Sequence, residues 1–237
     1  MGNFTRLTIT VPDVKRTFQN YSTPAAKAAN IRLIQEINKN FGAICVKWGN
    51  VFEIEKEVLI AFIATESGGN PKIVSFVGCC FGLMQVSPEA VFEVANKFKR
   101  GTGVELPEPC RVVLSRIPNL ITTGKMSSAT RQAIIKKLVE PDFNIMCGTM
   151  VLRWLLERFS TIFTGAQLNK AIIGYNAGAY SRSINVSSNS PIRTPVDTAT
   201  YVTGSLMRSV PSEARNYLVK MLGVDGFLSL IYKDKAI

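Results

Sequence analysis

The chain has 237 residues, 46% of them apolar and 19% charged, enough to bury the core of one domain or one and a half. Its formal charge of +11 directs it toward acidic surfaces such as nucleic acid, anionic lipid or bacterial cell wall, without choosing among them. It contains no histidine, which excludes Ser-His-Asp hydrolases, Cys-His proteases, HExxH zinc enzymes and nucleases with a histidine base, so any chemistry must run on carboxylates, Lys, Tyr or Cys.

Residues 1–24 alternate polar and β-branched side chains and break at Pro24, the pattern of a loosely attached arm without the apolar core of a signal peptide. From Ala25 to Phe41 the apolar residues Ala28, Ile31, Ile34, Ile37 and Phe41 recur at helical spacing, and Gly42 is the predicted stop. The next segment puts Ile54, Val58, Ala61, Phe62 and Thr65 on one helical face and breaks at Gly68, Gly69 and Pro71, which leaves Glu66 on the last turn. Its run VLIAFIA, from Val58, is among the longest apolar stretches and is too short to span a bilayer, so no membrane insertion is expected.

Ser75 to Gln85 reads as a small hairpin or irregular lip, and Pro88 to Phe98 as a helix with proline in its first turn. Residues 99–128 carry so many glycines and prolines that they predict a long excursion without a regular element. Helical spacing returns over Ser128–Val139, Asn144–Phe159, Ala166–Tyr175 and roughly Ser212–Leu222, with a Ser/Thr/Pro-rich loop over Ser181–Thr200. The expected fold class is mainly α, with one small non-helical patch directly after Glu66.

A carboxylate at the C-terminal end of an apolar helix is disfavoured by the macrodipole and by poor solvation, which raises its pKa and suits it to general acid work. The plain alternative for Glu66 is a helix-end residue facing solvent. Its sequence neighbourhood decides between the two. ESGGNP from Glu66 and FGLMQVSP from Phe81 resemble the catalytic domain of soluble lytic transglycosylases, whose signature is ESxxxP, then a Ser, then GLMQ and a Pro. PDFNIMCG from Pro141, GYNAG from Gly174 and SEARNYLVKM from Ser212 match the same family in the same order, so that the resemblance covers roughly residues 53–222.

The resemblance implies a lysozyme-like fold of the goose-type class and cleavage of the β-1,4 bond between N-acetylmuramic acid and N-acetylglucosamine, with a 1,6-anhydro ring left behind. For Glu66 it implies two roles: protonation of the glycosidic oxygen, then removal of the proton from the muramyl C6 hydroxyl. The residues agree, because Ser67 to Pro88 holds no Asp or Glu, and an ordinary glycosidase needs a second carboxylate across the bond.

By the same resemblance Ser75 and Gln85 hold the N-acetyl and hydroxyl groups of the substrate, and Tyr175 and Asn176 flank Glu66 across the cleft, with Gly178 turning the backbone away. Glu213 and Tyr217 would line the far wall, although a surface glutamate and a core tyrosine fit the sequence equally well. Met84 is expected to pack beneath the site.

The chain departs from the family pattern at Cys79, Cys80 and Phe81, where small residues are usual, at Ser87, which replaces an apolar residue, and in the length of the stretch from Gln85 to Asn144. The five cysteines form an odd set without CxxC spacing, which indicates reduced thiols and neither a disulfide framework nor a zinc site. Cys79 and Cys80 are read as buried structural thiols from their apolar context, with reactive thiols as the alternative. No cofactor or metal is implied.

These readings divide the chain into an N-terminal arm and helix (1–52), a catalytic domain (53–222) with an insertion at about 99–128, and a C-terminal tail (223–237). The expected substrate is the peptidoglycan glycan strand. With no signal sequence, the expected setting is a bacteriophage lysin made in the host cytoplasm and then released to the wall or carried with other virion proteins. A goose-type lysozyme that hydrolyses the same bond is the second enzymatic reading, and an inactive structural virion protein is the third. No specific nucleic-acid binding is expected, since the densest basic patch, Lys97, Lys99 and Arg100 beside Phe98, reads as a solvated helix end.

Overall fold

The structure is a computed structural model that describes residues 22–75, 78–122, 124–158, 166–177 and 212–237. The predicted arm before residue 22, the Ser181–Thr200 loop and Gly178 lie outside the described residues. The described residues are mainly helical, as the sequence predicts, and divide into two compact units. No helix among them is long and apolar enough to cross a membrane.

The first unit runs over Glu36–Arg158. It takes in the later part of α1 (Pro24–Phe52), α2 (Lys56–Glu66), α3 (Pro88–Thr102), α4 (Glu108–Leu114), α5 (Ser128–Leu138) and α6 (Pro141–Arg158). Gly42 does not stop α1, which continues for ten residues beyond it. The buried stripe goes on through Cys45, Trp48 and Phe52, and tertiary burial of that face outweighs the roughly 1 kcal/mol that a glycine costs inside a helix. Further along α1, Lys47 Nζ and Trp48 Nε1 both donate to Asp142 Oδ1, at 2.7 and 3.1 Å, tying the helix to the first turn of α6.

Helix α2 has no polar face: every residue from Val58 to Thr65 is buried. A one-sided stripe is therefore the wrong description of it, and Ile54 sits ahead of the helix in the bend that follows α1. A helix buried along its apolar run belongs to a core, to which Phe52 of α1, Phe98 of α3 and Trp154 of α6 also contribute. Phe52 and Phe98 meet edge to face with ring centroids 6.0 Å apart.

The excursion predicted over residues 99–128 is partly helical. Helix α3 passes through Gly101, where a Cβ would collide with the Trp154 indole, so a glycine is retained for close packing against α6. Helix α4 forms inside the proline-rich stretch because Pro109 stands in its first turn, the one helical position where a missing N–H costs nothing. Asn96 of α3 then holds the returning chain: its Nδ2 donates to Leu120 O at 2.8 Å and its Oδ1 accepts from Thr122 N at 2.8 Å. Lys99 and Arg100 occupy the last turn of α3, exposed, while Phe98 is buried, so the basic patch is the solvated helix end that the sequence indicates.

The second unit comprises the described residues of 8–35 and 159–237, including the start of α1, α7 (Ala166–Ala177), α8 (Ser212–Leu222) and α9 (Phe227–Tyr232). Helix α8 packs against α7 and α9. Sequence reading missed α9, whose Phe227–Ile231 are all buried and so carry no amphipathic period. Asp225 closes the unit by accepting from Ser22 Oγ at 2.6 Å, and Lys27 Nζ pairs with Asp234 at 2.5 Å.

Cys45, Cys110 and Cys147 are free and buried. Burial pushes the Cys45 thiol up from 9.0 to about 12 and raises those of Cys110 and Cys147 as well. These thiols ionise in the unfolded chain near the ordinary value and stay protonated in the fold, so the unfolded state binds fewer protons above pH 9.0. Stability is expected to be unaffected by them below that pH and to fall as pH rises through it. Urea titrations on either side of the ordinary thiol value check this, and Cys45→Ala should flatten the alkaline loss.

Candidate active site

Helix α2 ends at Glu66, which is half-buried between the buried Thr65 and Ser67. The chain leaves the helix by a locally encoded turn. Ser67 N and Ser67 Oγ both donate to Ile63 O, at 3.1 and 3.0 Å, and Gly69 N donates back to Ser67 Oγ at 3.1 Å. Gly68 and Gly69 follow at φ of 58° and 79°, and a Cβ on Gly69 would press on Ile37 of α1 at 3.0 Å. Two left-handed residues in succession, one of them against a buried isoleucine, explain the glycine pair. Asn70 then accepts from Lys72 N through its side chain at 3.0 Å, an Asx turn that sends the chain into the lip.

The lip is irregular, the second of the two forms the sequence allowed, with single antiparallel bridges at Val74 to Phe81 and Phe81 to Val86. Ser75 organises one end. Its Oγ accepts from Cys79 N at 3.1 Å and Cys80 N at 3.0 Å, while its own N–H donates to Cys80 O at 2.9 Å. Gln85 organises the other. Its Nε2 donates to Ile73 O at 3.1 Å and Gly82 O at 2.9 Å, and its backbone takes φ of 45°. Both side chains thus hold the lip in shape, which adds a structural duty to the substrate contacts that the resemblance implies. Ser87, the departure from the family pattern, caps α3 by accepting from Ala90 N at 3.0 Å ahead of Pro88.

Asn144 is the residue that sequence reasoning missed. Buried on α6, it receives Met84 N–H on Oδ1 at 2.8 Å and donates from Nδ2 to Phe81 O and Leu138 O, each at 2.8 Å. Every hydrogen-bonding group of its amide that faces the lip is used. The lip comes so close that a Cβ on Gly82, which has φ of 74°, would overlap the Asn144 amide. Met84 is buried, as expected, over Gly148 of α6, where a side chain would displace its sulfur. The signal available in the sequence was the block PDFNIMCG, which contains both Asn144 and Gly148.

Tyr175 and Asn176 stand half-buried on α7 in the second unit. On α8, Glu213 is exposed and Tyr217 is buried, so the surface-glutamate and core-tyrosine descriptions fit those two positions. Cys79 and Cys80 correct the sequence reading: they are half-buried at the lip, not core thiols like Cys45, Cys110 and Cys147.

Residues 44–113 match the model of the Transglycosylase SLT domain. The SLT match runs from within α1 into α4, so it takes in Glu66 and the whole lip. Among solved structures, the 70 kDa soluble lytic transglycosylase from Escherichia coli is similar in fold, with a TM-score of 0.52 and 21% sequence identity over 89% of this chain. This chain spans 28% of the length of that protein. No curated protein sequence matches the chain. The structural likeness establishes the helical, lysozyme-like fold, and the blocks around Asn144, Tyr175 and Glu213 lie beyond the SLT match.

Proposed function

We propose that the protein is a peptidoglycan lytic transglycosylase that cleaves the β-1,4 bond between N-acetylmuramic acid and N-acetylglucosamine and leaves 1,6-anhydromuramyl ends. The observation that carries this reading is the half-buried Glu66 at the end of a helix buried from Val58 to Thr65, followed by a lip that contains no other carboxylate. In the proposed reaction Glu66 gives its proton to the glycosidic oxygen as the bond to the muramyl C1 breaks. As a carboxylate it then takes the proton of the C6 hydroxyl, whose oxygen bonds to C1. Donor and acceptor are the same group, so one carboxylate completes the cycle without water.

Ser75 and Gln85 would position the substrate's N-acetyl and hydroxyl groups, and substrate contacts are likewise proposed for Tyr175 and Asn176. The charge of +11 favours approach to anionic wall polymers. The mass of the products tests the proposal: anhydro ends are lighter by one water than the reducing ends of hydrolysis. Digestion of isolated peptidoglycan should release the lighter species, and reducing ends would assign the protein to lysozyme-type hydrolysis instead.

A further inference from the structure

The lip carries a pair of adjacent thiols that the proposed reaction does not use. Cys79 Sγ and Cys80 Sγ lie 3.5 Å apart, both half-buried, and Ser75 Oγ accepts both their backbone N–H groups. Ser75 Oγ also contacts Cys79 Sγ at 3.6 Å, and Gly78 precedes the pair, exposed, at φ of 65°. To reach the roughly 2.05 Å of a bond, two sulfurs this close on consecutive residues need side-chain rotation and a strained backbone between them. We propose that Cys79 and Cys80 are a thiol–disulfide exchange site that takes low-molecular-weight disulfides and closes to a reversible vicinal disulfide on the lip beside Glu66.

The step balances as two exchanges. The Cys79 thiolate attacks a sulfur of the small disulfide, forms a mixed disulfide and expels one small thiolate. Cys80, after losing its proton to solvent, attacks Cys79 Sγ and expels the second. Two protein thiols are oxidised, one small disulfide is reduced, and two small thiols leave. The order follows from the environment of Cys80, whose thiol is pushed up to about 12 by burial, by Cys79 and by the charge of Glu66. Cys80 is a poor first nucleophile, and its attack becomes favourable once the reaction is intramolecular.

Reversibility follows from chain geometry. Consecutive Cα atoms are held about 3.8 Å apart, short of the roughly 4.4–6.8 Å that an unstrained bridge spans. A strained, accessible bridge belongs to the readily reduced class. Closure must also disturb the two N–H bonds to Ser75 Oγ, and with them the end of the lip that Ser75 organises.

Intact-protein mass after treatment with oxidised glutathione and an acid quench tests the proposal without reference to activity. The wild type should lose two hydrogen masses and regain them with dithiothreitol, while the folded C79S/C80S variant keeps its mass with its three buried thiols untouched. An unchanged wild-type mass, or a glutathione adduct that persists without closure, would overturn the proposal. The consequence for the lip is read on peptidoglycan. Oxidation should slow the wild type by up to about a hundredfold, the scale of a roughly 1 Å displacement, and C79S/C80S should be insensitive to the oxidant. A bridge that forms with digestion unchanged would overturn the link to the site, whereas loss of all digestion by the reduced protein would count against the proposed function and leave the mass result standing.

Discussion

Glu66→Gln is expected to lower peptidoglycan cleavage by on the order of 10²–10⁴, the usual contribution of a positioned acid or base. The amide matches the carboxyl in size but can neither give a proton to the glycosidic oxygen nor take one from the C6 hydroxyl, so both halves of the proposed cycle fail. Stability should hardly change, because glutamine has a helix propensity close to that of glutamate and Glu66 is the last residue of α2. The check is product release per unit enzyme beside the thermal midpoint of the same preparation. Retained cleavage in Glu66→Gln would remove this residue from the chemistry.

The second large effect is expected at Asn144. Truncation to alanine removes the three buried hydrogen bonds that the amide makes to Met84 N–H and to the carbonyls of Phe81 and Leu138, although Phe81 O still accepts from Val86 N. Losing three buried hydrogen bonds together costs on the order of 2–4 kcal/mol. Asn144→Asp should be no milder, because the carboxylate still accepts from Met84 but cannot donate to either carbonyl and places a charge in the core. Urea denaturation measures the loss. Cleavage measured well below the melting transition should also fall, since Asn144 fixes the lip that carries Gln85. A fully stable alanine variant would show that the lip is held by its own bridges instead.

How much of this was legible in the sequence depends on where each constraint comes from. The break after Glu66 was legible because its cause is local: Gly68 and Gly69 take left-handed backbone directly after the helix, and Pro71 follows within five residues. The continuation of α1 past Gly42 was not, since its stabilisation comes from burial of Trp48 and Phe52 against distant parts of the chain. Helices α2 and α9 hid their character for a related reason, as a helix buried on all sides has no period to read. The role of Asn144 depends on a loop 60 residues earlier in the chain. Cys79 and Cys80 were misjudged because an apolar neighbourhood in sequence does not tell a core from a lip.

The most direct test of the central claim is digestion of purified peptidoglycan in heavy-oxygen water, with the new glycan ends identified by mass spectrometry. Ring closure by the C6 hydroxyl takes no oxygen from solvent, so the account predicts unlabelled 1,6-anhydromuramyl ends that are absent from the Glu66→Gln digest. Reducing ends carrying one solvent oxygen would contradict it, and would require a second carboxylate that activates water at this site.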